Sequence, residues 1–340
     1  MFWTIYPGLK KQIMSKLILV FIVSALLSAL SCFALIKVFK RLKVGQTILH
    51  YVSEHSHKNG TPTMGGLSFI LSAIAVFFVF CKAYPIATAA AVIFLAYSLV
   101  GFIDDLLKVR FSKNQGLTAL QKIIFQLGVS LIVAVFCVYM GITNVYIPFT
   151  GRLVNLGLWS VPLNVLVFIA TTNCVNLTDG LDGLCSTTSM IFMLGAAALI
   201  GAQLNKLSDY YIVKEEYSAL IALAISCAGS LLGFLLFNTN KAQIFMGDTG
   251  SLGLGAVISS IMIFSGNTLY IPIMGIIYVI SGLSVIIQVL VYKRTKKRVF
   301  KMAPFHHHLQ QNGHSEAKIA FIYAFITVIC SLSCVLVYAN

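Results

Sequence analysis

Charge is what this sequence has least of. Only 10% of its 340 residues are Asp, Glu, Lys or Arg, and the mean hydropathy is +0.92. Soluble domains carry about a quarter of their residues as charges, so that class is excluded. Apolar and polar residues do not alternate over ~10-residue segments, which excludes a transmembrane β-barrel. The eight cysteines lie within or at the ends of apolar runs, with neither metal-like spacing nor a disulfide framework. They are expected to behave as small buried hydrophobes. The net charge of +14 sits in short connections with no nucleic-acid-binding module, so nucleic acid is not an expected partner.

What is present is a series of apolar runs near the ~20 residues that cross a bilayer. Ten spans are expected, approximately Leu17–Val38, Met64–Cys81, Ile86–Ile103, Leu120–Tyr139, Trp159–Val175, Ser186–Leu204, Tyr217–Phe237, Leu252–Phe264, Tyr270–Tyr292 and Ile319–Tyr338. The eighth is short, and Ser281-Gly282 marks a possible bend in the ninth. The first apolar run is too long for a cleavable signal peptide and lacks a small-residue cleavage site. The fold class is an all-α polytopic integral membrane protein, with residues 1–340 forming a single transmembrane domain.

Most of the 24 Lys and Arg fall in loops after odd-numbered spans, including Lys40, Arg41, Lys108, Arg110 and the tract "YKRTKKRVFK". The positive-inside rule makes those loops cytoplasmic and both termini external. All seven histidines and seven of the ten acids then face the cytoplasm, the exceptions being Asp209, Glu215 and Glu216. A site in a cytoplasmic cleft is expected.

Five loops carry its chemistry. "HKNGTPTMGG" sets a turn with Gly60 and Pro62, and Lys58, Thr61 and Thr63 offer phosphate contacts. "FIDDLLK" places Asp104 and Asp105 side by side at a membrane edge, where acids are costly and functional by default. Lys108 is i+4 from the first and i+3 from the second, so one lysine partly compensates two carboxylates. "NLTDGLDGL" has two acids, Asp179 and Asp182, and no basic residue, which suits Mg²⁺ with its preference for hard oxygen ligands. "FMGDTGSLGLG" presents Asp248 between glycines, as a ligand or as a helix N-cap. "APFHHHLQQ" carries His306, His307 and His308, which cannot all face one side of a helix, so a three-histidine zinc site is not expected.

In this order the five motifs resemble those of the bacterial phospho-N-acetylmuramoyl-pentapeptide transferases, within the polyprenyl-phosphate N-acetylhexosamine-1-phosphate transferase superfamily. The resemblance covers essentially the whole chain. One departure is His314 in "GHSE", where members often carry Trp. The resemblance implies an Mg²⁺-dependent reaction in the bacterial cytoplasmic membrane. UDP-MurNAc-pentapeptide and undecaprenyl phosphate would give lipid I and UMP. A homodimer is also implied.

On that basis Asp248 is the first choice for a metal ligand, with Asp105 as a second. Asp104 is expected to deprotonate or orient the lipid phosphate, or else to act as a covalent nucleophile; direct attack is favoured. His307 joins them as a catalytic candidate. Lys58, Thr63, Lys122, Asn176, Asp179, Asp182, Phe245, Gln288, His306 and His308 are the candidate substrate-binding residues. Two alternatives compete. A GlcNAc-1-phosphate transferase would keep the aspartates, and "APFHHHLQ" argues against it. A transporter would place its polar site near the bilayer midplane in inverted repeats, and no repeat is visible between the halves.

Overall fold

The structure, a computed structural model, describes residues 7–42, 60–82, 84–111, 116–204 and 211–339. Ten apolar helices build it: α1 (Pro7–Arg41), α2 (Gly66–Phe80), α3 (Pro85–Phe111), α4 (Ala119–Tyr139), α5 (Ser160–Thr178), α6 (Leu184–Leu204), α7 (Tyr211–Asn238), α8 (Gly247–Phe264), α9 (Ile276–Thr295) and α10 (Glu316–Ala339). Among the described residues, all but the 15-residue α2 are long and apolar enough to cross a membrane. The expected polytopic helical class therefore holds, with one addition. Asn144–Tyr146 and Leu153–Asn155 pair as an antiparallel hairpin at the end of the bundle remote from the aspartates. Its strands are three residues each, too short to register as an alternating pattern.

α8 is the centre, and every residue from Thr249 to Phe264 is buried. Its sequence, "GDTGSLGLGAVISSIMIF", explains this place. In a membrane the hydrophobic effect does not drive helices together, so close backbone approach through small residues takes over. A Cβ at Gly101 of α3 would collide with the backbone of Asp248 and Thr249, and one at Gly255 would collide with Thr172 of α5. Ser251, Ser259 and Ser260 return their hydroxyls to carbonyls one turn back at 2.8–3.0 Å, so α8 buries them without an unmet donor. On the other side of the bundle Gly229 and Gly233 of α7 lie against the backbone of Phe21 and Ala25 in α1, beside a 2.9 Å Ser24–Ser226 hydrogen bond.

Of the boundaries that differ from the sequence expectation, three matter most. α3 runs past Ile103 to Phe111, so Asp104 and Asp105 lie within a helix rather than just beyond one. α8 begins at Gly247, five residues before Leu252, and takes Asp248 into its first turn. The ninth span breaks at Gly275, after the single turn Ile271–Met274, and not at Ser281-Gly282. Pro272 sits at the start of that turn, where its missing N–H costs nothing, and the turn ends at Gly275, which adopts a non-helical φ of −98° and ψ of 32°. Ser281 and Gly282 instead form a contact with α5: the Ser281 hydroxyl meets Thr178 Oγ1 at 3.0 Å and Gly282 lies on the Cys174 sulfur. All eight cysteines are free thiols.

Candidate active site

Asp104, Asp105 and Asp248 converge where α3 meets the start of α8. Each offers one carboxylate oxygen within 4.8 Å of the others. Asp104 is fully buried and Asp105 nearly so. Asp105 reaches across to the α8 N-terminus. Its Oδ1 accepts the Asp248 N–H at 3.2 Å, and its Oδ2 accepts the Thr249 N–H at 2.9 Å and the Thr249 hydroxyl at 2.7 Å. The first turn of any helix leaves amides without partners, and a carboxylate there also meets the positive end of the helix dipole. Asp105 thus caps α8 from another helix.

Gly247 makes that approach possible. Its φ of 72° lies in the left-handed region, and a Cβ would strike both Asp105 Oδ2 and Thr63 Oγ1. The preceding strand-like segment is held by backbone bonds: Phe245 N–H to Pro62 O at 2.8 Å, Gly65 N–H to Phe245 O at 2.8 Å, and Gly66 N–H to Met246 O at 3.0 Å. The "TPTMGG" and "FMGD" loops are therefore one structural unit, and buried Thr63 sits inside it.

Two ammonium groups balance the acids. Lys108 Nζ lies 2.7 Å from Asp104 Oδ2, 3.1 Å from Asp248 Oδ2 and 3.9 Å from Asp105 Oδ1. Lys122 Nζ, from the first turn of α4, lies 2.9 Å from Asp104 Oδ2 and 2.5 Å from Asp248 Oδ2. A capping box between Thr118 and Gln121 fixes the start of α4. The other oxygens are committed too. Asp104 Oδ1 accepts the Leu117 N–H at 2.6 Å, and Asp248 Oδ1 accepts Asn176 Nδ2 at 2.8 Å. Asn176 also donates to Ser251 Oγ at 2.8 Å, so it ties α5 to α8 beside the acids.

The "TDGLDG" turn and the histidine loop form the adjoining wall. Packing pushes the Asp179 carboxyl up to about 8, and the like charges of Asp248, Asp105 and Asp182 add to the effect. His306 is wholly buried on the Gly180 backbone, 4.4 Å centroid to centroid from the His307 ring, and neither of its ring nitrogens has a hydrogen-bond partner. Burial, and secondarily His307, pulls it down to about 3, so the ring is neutral near pH 7. His307 Nε2 also lies over Gly180, and its Nδ1 meets Gln310 Oε1 at 3.2 Å.

Other candidates are spent on internal bonds. Asp182 Oδ2 accepts the Ala242 N–H at 2.9 Å, while Glu316 of α10 accepts the Asp182 N–H at 3.2 Å. Together they brace the turn. His308 Nδ1 accepts the Lys301 N–H at 3.1 Å, and the ring packs among Phe300 and Phe305. Gln288 Oε1 accepts the N–H groups of Val299 and Phe300 at 3.1 and 3.0 Å and its Nε2 donates to Phe300 O at 3.2 Å, while the residue lines a cavity of about 460 Å³ with Tyr292, Lys293 and Arg298. Phe245 is half-buried and enters the site unit through its backbone. Lys58 lies outside the described residues.

The sequence reading passed over Thr249, Ser251 and Glu316, and treated Lys108 only as a helix partner of its neighbours. Thr249 had a signal, since a hydroxyl in a helix's first turn often joins its cap. Glu316 had none: its partner is 134 positions away.

Residues 86–266 match glycosyl transferase family 4, and residues 58–70 match phospho-N-acetylmuramoyl-pentapeptide-transferase signature 1. The chain is 41% identical over 333 residues, 96% of each chain, to a phospho-N-acetylmuramoyl-pentapeptide-transferase of Clostridium botulinum (strain Eklund 17B / Type B). It is 40% identical over 324 residues to the same-named protein of Clostridium perfringens (strain SM101 / Type A), covering 94% of this chain and 96% of that one. The counterpart of Clostridioides difficile (strain 630) is 37% identical over 302 residues, 86% of this chain and 89% of its own.

Proposed function

The chain belongs to the phospho-N-acetylmuramoyl-pentapeptide transferases, and from that membership we propose how its site performs the transfer. The enzyme moves phospho-MurNAc-pentapeptide from UDP-MurNAc-pentapeptide to undecaprenyl phosphate, giving lipid I and UMP. The observation that carries this reading is identity of 41% across 96% of both chains, with the carboxylate cluster falling inside the matched length. The site faces the cytoplasm of the bacterial plasma membrane, which the distribution of Lys and Arg supports. The resemblance also favours a homodimer.

A phosphate oxygen of the lipid attacks the phosphorus that bears the sugar. The new P–O bond forms as the anhydride bond breaks, and UMP leaves with that bond's electron pair. Such a transfer needs placement and charge neutralisation more than unusual side-chain chemistry. Asp104 orients the lipid phosphate and accepts its proton where one is present; we favour direct attack over a covalent intermediate on Asp104.

Three carboxylates from two helices are hard oxygen donors of the kind Mg²⁺ takes. Asp248 is the first-choice ligand, and Asp105 stands behind it with both oxygens also engaged by α8. Bound there, Mg²⁺ would neutralise charge developing on the diphosphate. Lys108 and Lys122 add positive charge at the same place. Burial, with the like charges of Asp248, Asp105 and Asp182, raises the Asp179 carboxyl above the ordinary range, so it adds less repulsion toward an anion at that wall than an exposed carboxylate would. His307 contacts the sugar phosphate, Thr63 packs behind the Gly247 turn, and Asn176 keeps Asp248 aimed.

The test is UMP release by the solubilised enzyme with undecaprenyl phosphate. Release is expected with UDP-MurNAc-pentapeptide and Mg²⁺, and at background with UDP-GlcNAc, without Mg²⁺ or in Asp248→Ala. Turnover with UDP-GlcNAc alone would reassign the donor. Full turnover in Asp248→Ala would remove the metal role.

A further inference from the structure

We propose that Lys122 is an exchangeable counter-cation: it bridges Asp104 and Asp248 until a divalent cation takes its place on Asp248, and the released ammonium then meets the incoming diphosphate. This deepens the reading of Asp248 as a metal ligand and rests on it.

The argument starts from which oxygens remain available. Asp104 Oδ1 is held by Leu117 N–H at 2.6 Å and Asp248 Oδ1 by Asn176 at 2.8 Å. Only the Oδ2 atoms of this pair face an external cation, and each is contacted by both ammoniums at 2.5–3.1 Å. A divalent cation at ordinary oxygen distance, about 2.1 Å for Mg²⁺, would sit directly against two positive nitrogens. The three carboxylates and two ammoniums sum to −1. Adding the cation with both lysines retained turns that to +1 at a nearly closed point, where like charges are weakly screened. One lysine must withdraw.

Lys122 is the one free to go. Lys108 is one turn from Asp104 on the same helix and also approaches Asp105 at 3.9 Å, so the helix itself keeps it beside the acids. Lys122 reaches in from α4; its side chain is 23% exposed against 22% for Lys108, so the separate helix and not exposure sets it apart. The capping box keeps the α4 backbone in place while the side chain swings. A lysine is a point charge on a flexible stem, which suits a group that changes partner. The exchange couples two ligands. The cation alone must displace an ammonium, whereas a diphosphate supplies a new partner for it, so the two bind with positive cooperativity.

The experiment measures Mn²⁺ affinity of the substrate-free, full-length enzyme in detergent by electron paramagnetic resonance. Lys122→Gln is expected to bind Mn²⁺ about tenfold tighter or more, while Lys122→Arg stays near wild type. In parallel, the rate at which an amine-reactive ester modifies Lys122 of the wild-type chain is read by mass spectrometry. It should rise severalfold on adding Mg²⁺. An unchanged or weaker Mn²⁺ affinity in folded Lys122→Gln overturns the exchange. If that variant does not fold, an unchanged labelling rate overturns it. Mn²⁺ binding that survives Asp248→Asn would instead overturn the metal-ligand reading underneath.

Discussion

His306 shows what burial does to a single residue. Its ring is shut between Gly180 and His307 with both nitrogens unpartnered, so the neutral form is strongly preferred. Its folded value of about 3 lies below the ordinary 6.5. The unfolded chain therefore binds more protons between those values, and the stability from His306 is complete above pH 6.5 and lost as pH falls toward 3. Asp179 works in the opposite sense. Its value of about 8 gives stability that is complete below the ordinary carboxyl range and lost as pH rises through 8. The two overlap between about pH 4 and 6.5, so the histidine's part is read as a difference. We expect the thermal midpoint of His306→Phe to drop less than that of wild type between pH 6.5 and 4.5. Parallel curves would show that His306 is protonated in the fold.

At the scale of elements, the junction of α3 with α8 decides whether the three aspartates share one place. Gly101 lets the helices touch, Gly247 turns the chain, and Asp105 receives three donors from the first turn of α8. Losing a cap costs about 1 kcal/mol, and leaving several buried donors unmet raises that to about 2–4 kcal/mol. Asp105→Ala should accordingly lower the unfolding midpoint and turnover together. Asp248→Ala should cut turnover by two orders of magnitude or more with a smaller loss of stability. Equal thermal midpoints for the two variants would argue that Asp105 is no cap.

For the whole molecule, the acids gather at one end of the bundle, and the basic tract 293–301 continues from the same end of α9. A transporter's midplane site in broken helices is not what this arrangement resembles. The orientation itself has a direct test. Lys297→Cys places a thiol in the exposed segment after α9. In intact cells it should resist a membrane-impermeant maleimide and react once the membrane is opened. Labelling of intact cells would invert the topology and place the site outside.

Much of this was open to a reading of the sequence. Apolar runs near 20 residues declare themselves because a bilayer demands backbone bonds closed within each span. The motifs carrying Asp104, Asp105, Asp179 and Asp248 stood out because acids are scarce in such a chain. The broken ninth span was harder to place: Ser281-Gly282 looked like the weak point, yet it packs on α5, and the break fell at Gly275, after Pro272. Roles were harder still. Asp182, Gln288 and His308 have the chemistry of ligands, but partners distant in sequence or across a loop occupy them. Composition and local pattern determined the class, the spans and the set of reactive residues, since these depend on solvent and near neighbours. Only the tertiary structure decided which acid caps a helix, which acids the two lysines share and which histidine is sealed in, because each depends on what another helix brings to the same few ångströms.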